Sequence, residues 1–216
     1  PHTNDLFATT GDDSTVRIWS MESRKILSCF TLEDPDGTKE SARAIAWSKR
    51  FNKDGSSFLA VGLGGDTDGI KKGSTVGGGV LLLVPPVGSN GTGMHLAPVH
   101  RVSSTDSGVA IGCVTDIKVF VDDDPKPRVT IAVASQNGSI YIGEVDTERQ
   151  HLKFPTGRII ETDQRRSSGN ADFASHIDFS SCGSYLQSNW VSSDLRFHLV
   201  KQNLGNGKKE KVSAKT

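Results

Sequence analysis

The stretch Gly62-Leu63-Gly64-Gly65-Asp66-Thr67-Asp68-Gly69-Ile70-Lys71-Lys72-Gly73-Ser74 has the glycine density of a phosphate-binding loop. Such a loop cradles an anion with backbone N–H groups and reaches it with one lysine. Gly64 and Gly69 hold the required spacing, but Ile70 stands where that lysine belongs, and Lys71 is not followed by Ser or Thr. No helical pattern follows to lend its N-terminus, so the stretch is read as a loop between strands. Asp66, Asp68 and Gly69 open like a calcium loop, without the distal glutamate that completes one. Asp122-Asp123-Asp124 before Pro125 is read as a solvated turn. Among His2, His95, His100, His151, His176 and His198, no pair has metal-ligand spacing. His176 and His198 fall in one predicted unit and are read as strand-packing residues. No Gly-x-Ser-x-Gly elbow raises a nucleophile. Arg165-Arg166-Ser167-Ser168 sets a basic pair before serines, a pattern that phosphorylation would act on through added charge; the bland reading is a solvated loop. These residues give no ground for an enzyme, a metal or a cofactor. They point to a protein that binds.

Composition narrows what it binds. Lys plus Arg and Asp plus Glu number 25 each, so no overall field favours nucleic acid or an anionic membrane. Cys29, Cys113 and Cys182 are scattered and odd in number, which fits neither a disulfide framework nor a zinc site. Reduced intracellular thiols are the expectation. The longest apolar run, Val80-Leu81-Leu82-Leu83-Val84, stops at Pro85-Pro86 and suits a buried strand, not a membrane helix. No signal peptide is visible, and the sequence starts at Pro1, so a piece of a longer chain is expected.

The elements that would position any binding surface are short strands. Helical periodicity is almost missing, and 23 glycines punctuate β-branched runs. Four units emerge, over about 1–40, 41–103, 109–160 and 173–200, with 201–216 as a flexible basic tail. In the first unit, strands over Leu6–Thr10 and Thr15–Ser20 flank the turn Gly11-Asp12-Asp13-Ser14, and a third strand runs from Lys25 to Leu32. Val16, Ile18 and Ser20 share one face, Arg17 and Trp19 the other. The second unit reads Ala42–Ser48, Phe58–Leu63, Gly78–Val84 and Leu96–Val102, with the turn Lys53-Asp54-Gly55. The third reads Cys113–Val121, Arg128–Ser135 and Ser139–Val145, with an outer strand within His151–Ile160. Asn137-Gly138 predicts a hairpin turn with both residues at positive φ. The fourth reads Ser175–Ser180, Tyr185–Val191 and Leu195–Val200, with the turn Ser181–Ser184. Ala8, Ala60, Ala132 and Gln187 align as equivalent points. They lie farther apart than a WD repeat of about 40–45 residues, so loops must be inserted, at Gly64–Gly77, Val87–Gly93 and Glu161–Asp172.

A lone sheet of such short strands cannot bury both faces. Stacking sheets radially hides each face against a neighbour, so an all-β, WD40-type β-propeller is the expected fold. About four blades are present, part of a larger or tandem propeller. A β-sandwich is the alternative. The sequence Asp12-Asp13-Ser14-Thr15-Val16-Arg17-Ile18-Trp19-Ser20 carries the WD signature, with Ser20 where Asp is usual. Asp13 can accept backbone and side-chain hydrogen bonds in the turn, and Trp19 can cover that cluster while its N–H finds a partner. Asp13, Thr15, Trp19, Asn137 and Gly138 are therefore the structural turn residues. His198 stands where the fourth unit's tryptophan would fall, and the first unit lacks an initial strand.

Asn4-Asp5-Leu6-Phe7-Ala8-Thr9-Thr10-Gly11-Asp12-Asp13 with Thr15-Val16-Arg17-Ile18-Trp19 resembles blades of the echinoderm microtubule-associated protein-like family. So does His176-Ile177-Asp178-Phe179 followed by Ser184-Tyr185-Leu186-Gln187-Ser188-Asn189. The Gly64–Gly77 insertion and His198 depart from that pattern. The resemblance implies tandem propellers, association with tubulin or microtubules, and a cytoplasmic, cytoskeletal location. It marks no tubulin-contacting residue. The alternative is a general WD-repeat adaptor in a signalling or ubiquitin-ligase complex.

Overall fold

β-Branched and aromatic residues in alternation, broken every few positions by Gly, Asp, Asn and Ser, favour short extended segments joined by tight turns. The computed structural model describes residues 6–34, 37–49, 57–64, 78–84, 96–103, 111–122, 127–155, 159–161 and 172–200. These hold strands and turns, and no helix. Sheet 1 runs β1 (Leu6–Thr10), β2 (Thr15–Ser20), β3 (Ile26–Thr31). Sheet 2 runs β4 (Ala42–Trp47), β5 (Leu59–Leu63), β6 (Gly79–Val84), β7 (Ala97–Ser103). Sheet 3 holds β8 (Val114–Asp122), β9 (Arg128–Ser135) and β10 (Ser139–Asp146), with β11 (His151–Lys153) and β12 (Ile159–Glu161) both on the edge of β10. Sheet 4 runs β13 (Ala174–Phe179), β14 (Tyr185–Trp190), β15 (Leu195–Leu199). All pairings between these strands are antiparallel.

The outer strand expected within His151–Ile160 is thus two strands. β11 pairs with Glu144–Asp146 and β12 with Ser139–Tyr141. Pro155 lies between them and has no N–H to give a ladder, which favours the interruption.

One register recurs through the stack. Ala8 lies opposite Ile18, Ala60 opposite Leu82, Ala132 opposite Ile142 and Gln187 opposite Phe197. Two residues earlier than that second set, Val16, Val80, Ile140 and Leu195 share its face. In sheets 1 to 3 this face is sealed: Val16, Ile18, Val80 and Ile140 are 0% exposed, Leu82 1% and Ile142 3%. It packs on the opposite face of the next sheet. Val16 and Ile18 meet Leu59, Val61 and Leu83 of sheet 2. Ala60, Val80 and Leu82 meet Ile117, Ile131 and Val133 of sheet 3. Ile140 and Ile142 meet Ile177, Leu186 and Trp190 of sheet 4.

Other local features repeat with the register. β4, β8 and β13 carry a bulge at the same place, between Ala42 and Ala44, Val114 and Asp116, Ala174 and His176. β4 adjoins β8, and β8 adjoins β13. Ser48 closes the β4–β5 hairpin by donating its N–H to the Phe58 carbonyl while its hydroxyl accepts the Phe58 N–H, each at 2.9 Å. Ser180 does the same with Tyr185 in sheet 4, at 2.9 and 3.1 Å.

Candidate functional site

The turns joining β1 to β2, β9 to β10 and β14 to β15 carry the polar chemistry. At Gly11–Ser14 the Ser14 N–H donates to the Gly11 carbonyl at 3.3 Å, and Ser14 sits at φ 61. At Ser135–Gly138 the Gly138 N–H donates to the Ser135 carbonyl at 3.1 Å, with Gly138 at φ 90. At Trp190–Ser193 the Ser193 N–H donates to the Trp190 carbonyl at 2.9 Å, with Ser193 at φ 70. Asn137 is not among the residues at positive φ, contrary to the sequence expectation. The loop is a tight turn followed by one left-handed residue, not a two-residue turn with both left-handed. Its geometry therefore tolerates serine at the left-handed position in sheets 1 and 4.

Asp13 organises the first of these turns. Its Oδ1 accepts the Thr15 N–H at 3.2 Å and the Thr15 hydroxyl at 2.7 Å, and its Oδ2 lies 2.7 Å from Arg17. The Thr15 hydroxyl first, then Arg17, hold the carboxyl below its usual range. Asn137 takes the same place in sheet 3: its Oδ1 accepts the Ser139 N–H at 3.0 Å, and its Nδ2 donates to the Tyr141 hydroxyl at 2.7 Å. Asp13 and Thr15 are brought together as expected. Trp19 donates its indole N–H to the Thr9 hydroxyl at 2.9 Å and stacks on Phe7, with ring centroids 5.8 Å apart.

His198 occupies the Trp19 position, since Leu186 lies opposite His198 as Phe7 lies opposite Trp19. Ser188 correspondingly takes the Thr9 position. Its hydroxyl accepts the Trp190 indole N–H at 2.8 Å and lies 2.8 Å from His198 Nε2. A serine this close to a histidine invites a nucleophilic reading. Ser188 is 0% exposed, however, and its hydroxyl is occupied on both sides. The contact is structural, and sequence reasoning missed it because the partners sit on separate strands.

Burial first, then the nearby Arg196, push His198 down to about 4. The folded state therefore resists protonation that the unfolded chain accepts at its ordinary value of about 6.5. Stability is at its full value above that pH and falls as pH drops from about 6.5 towards 4. Solvent access to the partly buried ring reduces the loss to about 1–2 kcal/mol. His198→Asn, which still bonds Ser188 but does not titrate, is expected to flatten this part of a stability-versus-pH profile measured by urea unfolding. An unchanged slope in that variant would assign the acid sensitivity to another group.

His176 and His198 take different partners. His176 Nδ1 lies 2.8 Å from Asp116 Oδ2, which also accepts the Ile177 N–H at 2.9 Å and so ties sheet 3 to sheet 4. His100 and His151, not paired by sequence reasoning, have ring centroids 3.8 Å apart across the outer strands of sheets 2 and 3. Among the described residues no group of three His, Cys, Asp or Glu side chains could hold a metal ion. Cys182 is exposed, and hydrogen bonds from Ser180 and Ser184 lower its thiol to about 7. Neither Cys29 nor Cys113 forms a disulfide.

The surface with interaction chemistry lies at the two ends of the stack, where large apolar side chains are exposed. Sheet 4 presents Tyr185 (51%), Leu195 (46%), Phe197 (46%) and Leu199 (41%). Sheet 1 presents Phe7, Met21 and Ile26. Residues Gly65–Ser74 of the glycine-rich stretch, Lys53-Asp54-Gly55, Val87–Gly93, Asp123-Asp124-Pro125, Arg165–Ser168, His2, His95 and the tail from Lys201 lie outside the described residues. No described helix is long and apolar enough to cross a membrane. The sequence matches no known protein-family model, and no curated protein matches it.

Proposed function

We propose that the four sheets are blades of a WD-type β-propeller and that the protein is a non-catalytic scaffold for protein partners, tubulin or microtubules first among them. The observation that carries the propeller is the common register: four sheets repeat the same cross-strand pairs, sheets 2 to 4 the same first-strand bulge, and sheets 1, 3 and 4 the same turn geometry, as units sharing an axis would. A two-layer sandwich would pair two faces once. Here sheets 2 and 3 each bury both faces against successive neighbours.

The tubulin assignment rests on the resemblance of Leu6–Trp19 and His176–Asn189 to blades of the echinoderm microtubule-associated protein-like family, and with it goes a cytoplasmic, cytoskeletal location. The bonds from Thr15 to Asp13 and from Trp19 to Thr9 support the blade reading beneath it, as chemistry that the WD signature implies. Co-sedimentation with polymerised tubulin tests the function. The protein is expected in the pellet at low salt, and less of it as salt rises. If it stays in the supernatant at low salt, while affinity capture returns kinase or ligase subunits without tubulin, the adaptor reading replaces this one.

A further inference from the structure

We infer that Asn137-Gly138 is a latent modification site, at which the Asn137 side-chain amide is lost to water only while the turn between β9 and β10 is open. The chemistry is that of an asparagine followed by glycine. The Gly138 backbone nitrogen gives up its proton and attacks the Asn137 Cγ. A C–N bond forms, the side-chain nitrogen leaves with that proton as ammonia, and an imide ring closes. Water then opens the ring at either carbonyl. The product is aspartate, or its isomer linked onward through the side-chain carboxyl. Glycine places no Cβ in the way of the attacking nitrogen. No oxidant and no enzyme is required.

The folded turn blocks this sequence at both reacting groups. Gly138 is buried although Asn137 beside it is exposed, so base in solution is kept from the nitrogen that must lose its proton. That N–H also donates to the Ser135 carbonyl at 3.1 Å, which holds the proton in place. The carboxamide is pinned as well. Its Oδ1 accepts the Ser139 N–H at 3.0 Å, and its Nδ2 donates to the Tyr141 hydroxyl at 2.7 Å. Tyr141 is 3% exposed in the apolar cluster shared by sheets 2 and 3, so this tie is anchored in the core. Closing the ring means breaking these three bonds. Conversion in the folded chain therefore runs at the unfolded rate multiplied by the fraction of time the turn is open. The two products then differ. Aspartate has a precedent at this place in sheet 1, where Asp13 accepts the Thr15 N–H as Asn137 accepts that of Ser139. The isomer adds an extra carbon to the backbone, which moves Gly138 off the Ser135 carbonyl and spoils the turn.

None of this depends on the propeller or on tubulin. The full chain is held at mildly alkaline pH, native in one sample and in guanidinium chloride in another, and digested. Mass spectrometry follows the peptide carrying Asn137 for the mass gain of an amide replaced by a carboxyl. Two further pairs, Asn90-Gly91 and Asn206-Gly207, lie outside the described residues, and their peptides are read apart. Native conversion at Asn137 should be slower than in guanidinium by about tenfold or more. Tyr141→Phe, with its β signature unchanged, should speed native conversion about fivefold by removing one tie. If that variant does not fold, the native and unfolded rates of the parent chain still decide. Once guanidinium is removed, chains with aspartate at position 137 should refold, and those with the isomer should stay sensitive to protease. Equal native and unfolded rates overturn the inference. So does a folded Tyr141→Phe chain that converts no faster than the parent, or an isomer that refolds as readily as the aspartate form.

Discussion

Gly78→Ala should cost about 3 kcal/mol of unfolding free energy, the top of the range for overpacking a folded interior. A Cβ built at Gly78 falls 1.7 Å from the Gly112 carbonyl oxygen, 2.3 Å from its carbon and 2.8 Å from the Cys113 nitrogen. These are backbone atoms, so no rotamer change relieves the overlap. Nor can the opposing segment retreat easily. The Cys113 carbonyl accepts the Gln136 N–H at 2.9 Å, and Val114 immediately begins β8. The methyl must push sheets 2 and 3 apart across the largest apolar cluster, which includes Val80, Leu82, Ile117 and Ile131. Gly11→Ala is the control. Its nearest neighbour would be Asp13 Oδ1 at 3.7 Å, an ordinary contact, and it should shift stability by less than about 0.5 kcal/mol. Urea unfolding of both variants checks this, and matching midpoints would mean that the sheets do not approach at Gly78 as described.

The contrast between those two glycines shows what was legible in the sequence. Alternation and turn residues are local, so they placed the strands within a residue or two, the divided outer strand of sheet 3 excepted, and they placed Ala8, Ala60, Ala132 and Gln187 in register. The same alternation assigned Val16 and Ile18 to one face correctly. It could not name what covers a face, because that neighbour arrives from dozens of residues away. Leu195 and Phe197 follow the pattern of Val16 and Ile18 and yet are exposed. The backbone approach of Gly78 to Gly112 and the tilted ring contact of His100 and His151 are likewise properties of junctions between sheets. Turn chemistry was legible by residue type and less so by geometry: Asn-Gly predicted two left-handed residues, and the longer loop needs only one. Asp172 is the sharpest miss. It reads as the end of a polar insertion, yet it is 1% exposed.

That buried carboxylate should be costly to lose, at about 3 kcal/mol for Asp172→Ala. Ser192 stands in its turn where Asp13 and Asn137 stand in theirs, two residues after the carbonyl that closes the loop. Asp13 and Asn137 turn their own side chains back onto the N–H two residues on. At Ser192 an outside carboxylate takes over the turn. Asp172 Oδ1 accepts the Ser192 N–H at 3.0 Å, and Oδ2 accepts its hydroxyl at 2.7 Å. The adjacent Val191 N–H donates to the Phe173 carbonyl at 3.0 Å, so the segment leading into β13 is clipped to the β14–β15 turn at two successive residues. Alanine removes the acceptor of the part-buried Ser192 N–H and loosens the start of β13, whose Ala174 and Ile177 are core residues. Asp172→Asn keeps one acceptor and should lose about 1 kcal/mol. Arg196→Met should lose less than that, since Arg196 lies 3.5 Å from Asp172 and already pairs with exposed Asp194 at 2.8 Å. Urea unfolding gives the order Ala, Asn, then Met. Amide exchange at Ser192 should quicken most in the alanine variant, and an unchanged Ser192 amide there would show that this carboxylate does not hold the turn.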